Sequence, residues 1–367
     1  MLFDVYKNKS VLVTGNTGFK GSWLTIWLRR LGAHVTGFSK DLPSNPNNFE
    51  ICGLRNVSHT HFGDVRDLEK LKHLVKKSQP DYIFHLAAQS LVKRSYDETV
   101  DTFSVNAMGT VNLLEAARSL NKQVSVVMIT SDKAYDNVEW KWGYRETDKL
   151  GGKDPYSASK GMAELAIRSY FESFIKNKKS NLKIAITRAG NVIGGGDWAM
   201  DRIVPDCVRS WSKVDSVAVR NPNATRPWQH VLEPLGGYLT LGAILSKKEN
   251  LNGEAYNFGP GADQNYSVSQ LINEMKKYWE NVEWKSSNVT HENFPEAGLL
   301  KLNCDKALFD LRWTPTLSFE QCVKFTIEWY RTFYEEKEVD MLKFCENQIE
   351  EYTAIAREAK IYWANDD

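Results

Sequence analysis

Short apolar runs alternate with amphipathic stretches along the first half of the chain. Residues 11–14 form a β-branched run of the kind that is buried in a parallel sheet. Four similar runs predict further strands at residues 33–38, 57–62, 82–88 and 124–129. Apolar residues at helical spacing lie between them, for example Leu68, Leu71, Leu74 and Val75. Strands that alternate with helices predict an α/β fold with a doubly wound parallel sheet.

The first predicted strand leads into a turn that is rich in glycine. Its sequence is Gly15-Asn16-Thr17-Gly18-Phe19-Lys20-Gly21, and apolar residues at helical spacing begin directly afterwards, at Trp23. Glycine permits the φ angles and the close backbone approach that such a turn needs, and a pyrophosphate can then meet the N-terminus of the helix. An ordinary strand–helix turn is the alternative interpretation. The flanking strand and helix together favour a dinucleotide-binding site.

A second group of polar residues combines a tyrosine and a lysine with a hydroxyl and a carboxylate. Tyr156 and Lys160 are four residues apart, so they are neighbours on one face of a helix. A free phenol has a pKa near ~10, and an adjacent ammonium stabilises its phenolate, which makes proton transfer feasible. Ser131 can steady an alcohol, and Asp132 adds a separate acid. This set predicts an enzyme that oxidises an alcohol and then expels water.

Composition argues against several classes of function. The 367 residues carry a formal net charge of +1 with no basic block, so the charge pattern of a nucleic-acid-binding protein is missing. No apolar run reaches the length of a membrane span, and residues 1–7 lack the apolar core of a signal peptide. The five cysteines are dispersed, with no C-x-x-C pair and no cluster with histidine. We therefore expect reduced thiols, a cytoplasmic protein and no metal site.

Six longer motifs resemble the extended short-chain dehydrogenase/reductase family and, within it, the nucleotide-sugar 4,6-dehydratase branch. They are TGNTGFKGSW from Thr14, HLAAQSLVKRSY from His85, TSDKAY from Thr130, DPYSASKGMAE from Asp154, RAGNVIGGGDW from Arg188 and NATRPWQHVLEPLGGYL from Asn223. The resemblance covers the chain to about residue 335. It implies a Rossmann-like doubly wound parallel sheet with a smaller, mainly C-terminal substrate lobe, and chemistry on a nucleotide-activated hexose.

The resemblance also implies a division of the chain into segments. Residues 1–190 would form the NAD-binding Rossmann domain, and residues 228–257 would return to it. Residues 191–227 and 258–335 would form the sugar-nucleotide-binding lobe. Residues 336–367 would form a C-terminal helical extension, whose narrow apolar stripe predicts packing on the lobe or on a partner subunit.

Carried over by motif, the resemblance implies NAD as the cofactor. The glycine turn would hold the pyrophosphate, Asp64 and Val65 would meet the adenine, and residues 86–89 would border the nicotinamide. The cofactor-binding set is Gly15, Asn16, Thr17, Gly18, Phe19, Lys20, Gly21, Asp64, Val65, Leu86, Ala87, Ala88, Gln89, Asn106, Thr130, Tyr156 and Lys160. NAD enzymes usually have a carboxylate at the end of the second strand. The chain has Ser39-Lys40 there, which by itself would favour NADP.

The resemblance assigns catalytic roles to Ser131, Asp132, Lys133, Tyr156 and Lys160. Tyr156 would take the C4 hydroxyl proton while hydride leaves C4, and Lys160 would hold the ribose and lower the pKa of the phenol. Ser131 would bind the C4 oxygen, and Asp132 would protonate the departing C6 hydroxyl before hydride returns to C6. The dTDP-hexose branch has a glutamate at the position of Lys133, whereas the CDP-hexose branch shares the lysine. The resemblance therefore favours a CDP-hexose and leaves the base for the C5 proton open.

The implied substrate-binding set is Gln89, Ser131, Asn191, Arg202, Arg220 and Arg226. Guanidinium groups suit a diphosphate because they bind it in a fork, although each arginine could equally be a solvated surface residue. The predicted partner is a small-molecule nucleotide sugar, with no nucleic acid and no membrane, and the predicted assembly is a homodimer or homotetramer. A 4-epimerase on the same fold, which needs no acid beside the serine, and a non-catalytic dinucleotide-binding module are the alternatives.

Four further polar residues have simpler interpretations. His85 lies inside a predicted buried strand and is interpreted as a core histidine, and His230 as structural rather than catalytic. Glu146 and Asp148 lie in the loop before Tyr156 and are interpreted as solvated carboxylates.

Overall fold

A parallel sheet forms the centre of the molecule, whose computed structural model describes residues 1–177, 180–280, 282–286 and 299–365. The strands are β1 (Ser10–Thr14), β2 (His34–Ser39), β3 (His59–Phe62), β4 (Tyr82–His85), β5 (Val124–Ile129), β6 (Leu182–Ala189), β7 (Val192–Ile193), β8 (Val217–Val219), β9 (Thr225–Arg226), β10 (Gln229–His230), β11 (Ala255–Phe258), β12 (Tyr266–Ser267) and β13 (Trp284–Ser286). Seven of them form one sheet in the order β3-β2-β1-β4-β5-β6-β11, with every pairing parallel. The predicted α/β fold with a doubly wound sheet is confirmed.

Helices connect the strands and cover both faces of the sheet. They are α1 (Phe19–Arg30), α2 (Asn48–Ile51), α3 (Leu54–Val57), α4 (Leu68–Ser78), α5 (Val92–Asp97), α6 (Thr99–Phe103), α7 (Gly109–Arg118), α8 (Pro155–Tyr170), α9 (Ile203–Trp211), α10 (Leu232–Leu245), α11 (Val268–Met275), α12 (Asp305–Leu311), α13 (Phe319–Glu335) and α14 (Met341–Glu358). Short 3₁₀ turns occupy Leu2–Tyr6, Asp132–Ala134, Glu249–Leu251 and Tyr362–Ala364, and π turns occupy Ser104–Met108 and Phe171–Ile175.

Strand direction brings the polar motifs to one edge of the sheet. Thr14 at the end of β1 is level with His85 at the end of β4, and the order of strands reverses between these two. Ligands of open parallel sheets bind in the crevice outside such a reversal point. The glycine turn after β1 and the residues after β4 and β5 therefore face one crevice.

Two predicted strands are shorter than expected. The third begins at His59 rather than Val57, because Leu54–Val57 forms α3 and Leu54 is fully buried. The fourth ends at His85 rather than at residue 88, because the backbone leaves the sheet there to border the crevice.

The core is divided by the sheet into two layers. On β1, Val11 and Val13 pack into the layer that also contains α1 and the C-terminal helices, whereas Leu12 packs with α4 and α7 on the other face. The alternation is that expected of a strand buried on both faces.

The C-terminal helix packs on the first helix of the chain. α14 contacts both α1 and α13, and Arg30 of α1 pairs with Glu350 of α14 at 2.9 Å. Trp363 stacks on Phe3 with ring centroids 5.0 Å apart and meets Trp27 edge to face. The predicted extension therefore closes over the start of the Rossmann region as well as over α13. The domain boundaries stay a prediction, although β11, within the predicted return segment, does pair with β6.

Candidate active site

A cleft of about 1440 Å³ opens beyond the carboxyl ends of the strands. Its lining includes most of the residues that the sequence assigned to cofactor and substrate. Its walls come from the glycine turn, from the segments that follow β2, β4, β5 and β6, from α8, and from residues 196–228. This volume exceeds the few hundred to one thousand Å³ that are typical of a pocket for one small ligand. The cleft can therefore hold two ligands side by side.

The glycine turn packs too tightly for side chains at two of its three glycines. Gly15 has a φ of +74°, and a Cβ on Gly21 would lie 2.0 Å from the carbonyl oxygen of Gly15. Gly18 precedes α1, so the free N–H groups of the first helical turn face the cleft. This arrangement suits an anion at the N-terminus of α1.

Asn16 does not line the cleft, and its assignment to the cofactor stays a prediction. Its side chain is fully buried, accepts a hydrogen bond from Ser39 Oγ at 2.9 Å and donates one to Thr60 Oγ1 at 2.8 Å. Asn16 therefore ties the glycine turn to β2 and β3 and supports the cofactor site from behind.

Charged groups cluster at the end of the cleft assigned to the adenosine. Asp64 pairs with Arg66 at 2.6 Å and lies 3.8 Å from Lys40. The hydrogen bonds from the Arg66 side chain hold the pKa of Asp64 below its usual range. Val65 is buried beside it and also lines the cleft. Because Asp64 faces Lys40, the positive charge of that lysine is partly neutralised, which weakens the local argument for a 2′-phosphate.

Residues 86–89 and Thr130 border the other end of the cleft, whereas Asn106 does not. Asn106 is buried, and its Oδ1 accepts from the backbone N–H of Gln89 at 2.9 Å. Its Nδ2 donates to the Gln89 carbonyl at 3.0 Å and to Ser159 Oγ at 2.8 Å. This amide fixes the loop at Gln89 against α8, and the assignment of Asn106 to the cofactor stays a prediction.

The predicted tyrosine and lysine both lie on α8 and line the cleft. Burial raises the pKa of Tyr156 to about 12, and the Asp132 carboxylate adds to this rise. A hydrogen bond with Ser131 and the charge of Arg202 oppose it. Burial lowers the pKa of Lys160 to about 8, against the carboxylate of Glu164, which raises it. Without ligands, Ser131 and Arg202 are thus the groups that favour the phenolate; the same role for Lys160 stays a prediction.

The triplet after β5 is folded into one compact turn. Ser131 caps the 3₁₀ turn, since its Oγ accepts from the Lys133 N–H at 3.2 Å and donates to Asp132 Oδ1 at 2.9 Å. Asp132 is buried against Gly190, where a Cβ would lie 1.9 Å from Oδ2. Lys133 is partly exposed, and all three residues line the cleft. A hydroxyl, a carboxyl and an amine are therefore available beside Tyr156.

A buried ion pair beneath this turn was missed by the sequence reasoning. Glu164, one helical turn after Lys160, accepts from Thr130 Oγ1 at 2.6 Å and from Arg188 Nε at 2.8 Å. Arg188 also donates to the Tyr135 hydroxyl at 2.6 Å. The one available signal was a glutamate on the same helical face as Tyr156 and Lys160.

The interpretation of Glu146 as solvated is wrong. This side chain is buried and accepts from the Asn257 N–H at 2.8 Å, and burial raises the pKa of its carboxyl group. His85 and His230 are buried as interpreted, outside the cleft lining, and His85 Nδ1 lies 2.7 Å from Thr14 Oγ1. Burial lowers the pKa of both histidines to about 3, so both rings are neutral.

All six residues of the implied substrate-binding set line the cleft. Arg202 pairs with Asp197 at 2.7 Å, and that carboxylate raises the pKa of the guanidinium. Arg220 lies 3.8 Å from Asp201. Asn191 has a φ of +47° in the glycine-containing loop, and Arg226 Nη1 donates to the Thr225 carbonyl at 2.8 Å.

Two kinds of feature are absent from the described part of the chain. No group of three or more histidine, cysteine or acidic side chains there could hold a metal ion. Within the same residues, no helix combines the length and the apolar character that crossing a membrane requires.

Comparison with known proteins finds a matching family and a close relative. The family described as GDP-mannose 4,6 dehydratase matches residues 12–326. The CDP-glucose 4,6-dehydratase of Salmonella typhimurium is 42% identical over 353 residues, which is 95% of this chain and 97% of the relative.

Solved structures share the fold. Epimerase Mth375 of Methanothermobacter thermautotrophicus superposes with a TM-score of 0.76 at 25% identity, covering 91% of this chain and 95% of its own. The dTDP-glucose 4,6-dehydratase DesIV of Streptomyces venezuelae, solved with NAD bound, gives a TM-score of 0.72 at 24% identity, covering 89% and 98%.

Proposed function

Because the chain belongs to the GDP-mannose 4,6-dehydratase family, within the extended short-chain dehydrogenases/reductases, we propose that it is an NAD-dependent CDP-glucose 4,6-dehydratase. The reaction converts CDP-glucose to CDP-4-keto-6-deoxyglucose and water. The observation that carries the proposal is a buried carboxyl group, Asp132, hydrogen-bonded to Ser131 in the cleft that also contains Tyr156 and Lys160. Oxidation of an alcohol needs Ser131, Tyr156 and Lys160, and elimination of water needs Asp132.

The glycine turn and the segments around it fit a dinucleotide. A Cβ on Gly21 would collide with the backbone, and the N-terminus of α1 is open to an anion. When bound, NAD supplies a hydride acceptor that later returns the hydride. Asp64 and Val65 would bind the adenosine, and residues 86–89 would border the nicotinamide.

In the oxidation half, Tyr156 takes the proton of the C4 hydroxyl. The phenolate is favoured by its hydrogen bond with Ser131 and by the nearby guanidinium of Arg202. Lys160, four residues further along α8, holds the ribose with its ammonium. Ser131 also orients the C4 oxygen, since its hydroxyl lies at the start of the turn after β5.

In the elimination half, the new C4 ketone makes the C5 proton acidic, and water leaves across C5 and C6. Asp132 gives a proton to the departing C6 hydroxyl, because hydroxide is a poor leaving group. Lys133 lines the same cleft and is the candidate base for the C5 proton. Arg202, Arg220 and Arg226 bind the diphosphate, for which the guanidinium fork is suited.

Products identify the reaction and the substrate together. We expect purified protein with NAD to convert CDP-glucose to a product 18 mass units lighter, the mass of one water, and to prefer it to dTDP-, UDP- and GDP-hexoses. A product of unchanged mass with an inverted C4 centre would identify a 4-epimerase, for which Asp132 has no role. Cofactor released on denaturation should be NAD. A clear preference for NADP would show that Ser39-Lys40, rather than the family resemblance, determines the choice of cofactor.

Assembly and cellular context belong to the same proposal. We place the enzyme in the cytoplasm, in deoxysugar biosynthesis for O-antigen, and as a homodimer or homotetramer. Apolar side chains exposed on α6 and α8 support an oligomer: Val100 is 82% exposed and Leu165 is 56% exposed. Light scattering of the purified protein measures the assembly.

A further inference from the structure

Lys20, the second residue of α1, occupies an unfavourable place for an ammonium group. The first turn of a helix carries the positive end of the helix dipole, so a cation there is destabilising. Among the described residues Lys20 forms neither a hydrogen bond nor an ion pair, and its Nζ lies 6.0 Å from the centroid of the Tyr238 ring. Packing and stability therefore do not explain this lysine.

The side chain of Lys20 points into the catalytic part of the cleft. It lines the cleft together with Asp132, Tyr156 and Lys160. Burial and the charge of Arg202 lower the pKa of Lys20 to about 8, Asp132 raises it, and Lys160 lowers it. At pH 7 the group is thus still mainly an ammonium, and its charge interacts with both functional groups that flank Tyr156.

The proposed function fixes where the nicotinamide has to lie relative to these groups. Tyr156 must come within hydrogen-bonding distance of the C4 hydroxyl, about 2.6–3.2 Å. Hydride transfer needs the nicotinamide about 3–3.5 Å from the same carbon. A nicotinamide bound for this chemistry would have to lie beside Tyr156, in the part of the cleft that Lys20 also lines.

We propose that the positive charge of Lys20 biases the site toward the reduced cofactor and thereby drives the oxidation of C4. This role rests on the proposed function. In the step, the C4–H bond breaks and its two electrons move with the hydride to the nicotinamide, while the hydroxyl proton moves to Tyr156 and a C4 ketone forms. The nicotinamide loses its positive charge in this exchange. A neighbouring ammonium repels the oxidised ring and not the neutral reduced ring.

Coulomb's law gives the expected size of the bias. At an assumed separation of about 10 Å and an effective dielectric constant of about 20, a unit charge would change an equilibrium constant roughly tenfold. The dissociation constants of NAD and NADH should therefore differ by roughly tenfold because of Lys20 alone.

The test is a titration of the full chain, freed of nucleotide, with NAD and with NADH, followed by quenching of tryptophan fluorescence. Lys20→Met, which keeps length and removes charge, should lower the dissociation constant of NAD relative to that of NADH roughly tenfold, whatever common effect the lost charge has on the diphosphate of both dinucleotides. Lys20→Arg should keep the parent ratio. Lys40→Met is the matched control, because Lys40 lines the cleft at the adenosine end and should change both constants by one common factor.

An unchanged ratio in Lys20→Met, or equal changes in both constants, would overturn the inference. Should circular dichroism show that the methionine variant is unfolded, Lys20→Gln serves the same comparison. A parent protein that binds neither NAD nor NADH would instead refute the proposed function. A parent protein that binds NAD and NADH but does not dehydrate CDP-glucose would refute CDP-glucose as the substrate. The ratio of the two dissociation constants would still test the role of Lys20.

Discussion

The buried ion pair beneath α8 allows a prediction about stability that can be worked out from the contacts. The side chains of Glu164 and Arg188 are 2% and 1% exposed, so neither charge is solvated. Glu164→Gln removes the negative charge while keeping nearly the same volume. The new amide would also present N–H groups to a guanidinium that has only donors.

The expected cost follows from the environment of the remaining charge. Arg188 would keep its bond to the Tyr135 hydroxyl and would lose the carboxylate that balances it. Removal of one partner of a buried pair typically costs about 3–5 kcal/mol, because it leaves an uncompensated buried charge. We expect a loss of about that size in the free energy of unfolding.

Urea unfolding monitored by circular dichroism measures this loss. The matched control is Glu172→Gln, on the π turn that follows α8, where Glu172 pairs with Lys176 at 2.8 Å in solvent. Exposed pairs contribute about 0–1 kcal/mol, so this variant should resemble the parent. The double variant Glu164→Gln/Arg188→Met should recover part of the loss, since it removes the unbalanced guanidinium.

Two results would refute this reasoning. One is a loss below about 1 kcal/mol for Glu164→Gln, the range of a solvated pair. The other is a double variant that is less stable than the sum of the two single losses predicts.

A functional effect should accompany the expected loss of stability. Glu164 raises the pKa of Lys160, so the removal of Glu164 should move the alkaline decline of activity to lower pH.

Three further predictions concern single groups. Tyr156→Phe should lower turnover roughly 10²–10⁴-fold with unchanged NAD affinity, because it deletes one acid/base group; near-parent turnover would exclude Tyr156 as the base. Asp132→Asn should stall after oxidation, so rapid mixing with CDP-glucose should show reduced nicotinamide accumulating in the near ultraviolet. Absence of that band at parent turnover would favour the epimerase. Burial raises the pKa of Glu233 to about 7, above its unfolded value, so the folded state holds the proton more tightly and stability should fall as pH rises toward 7. Glu233→Gln should flatten that slope in urea midpoints measured from pH 5 to pH 8.

The sheet and the glycine turn were predictable because each is encoded locally. A β-branched run such as residues 11–14 has few alternatives to a buried strand, and glycine at positions 15 and 21 reflects a steric requirement. Tyr156 and Lys160 follow from helical spacing alone. Tyr156 and Lys160 lie near the turn at Ser131 because the carboxyl ends of parallel strands meet at one edge of the sheet.

The sequence does not predict the direction of side chains whose partners lie in distant segments. Asn16 and Asn106 lie within motifs that border the cofactor, but their amides point inward, toward Thr60 and Ser159. Glu146 is buried because Asn257, 111 residues further along, supplies a backbone N–H to it. Such partners leave no periodic signal in the sequence, since the contact is made only when β11 joins the sheet.

The packing of Trp363 on Phe3 and Trp27 has a consequence for synthesis of the chain. Translation at about 5–20 residues per second separates the emergence of Trp27 from that of Trp363 by roughly 20–70 s. During that interval the face of α1 that packs on α14 lacks this partner, although α1 carries the glycine turn at its N-terminus. The contact between Trp27 and Trp363 therefore forms only after residue 363 has left the ribosome.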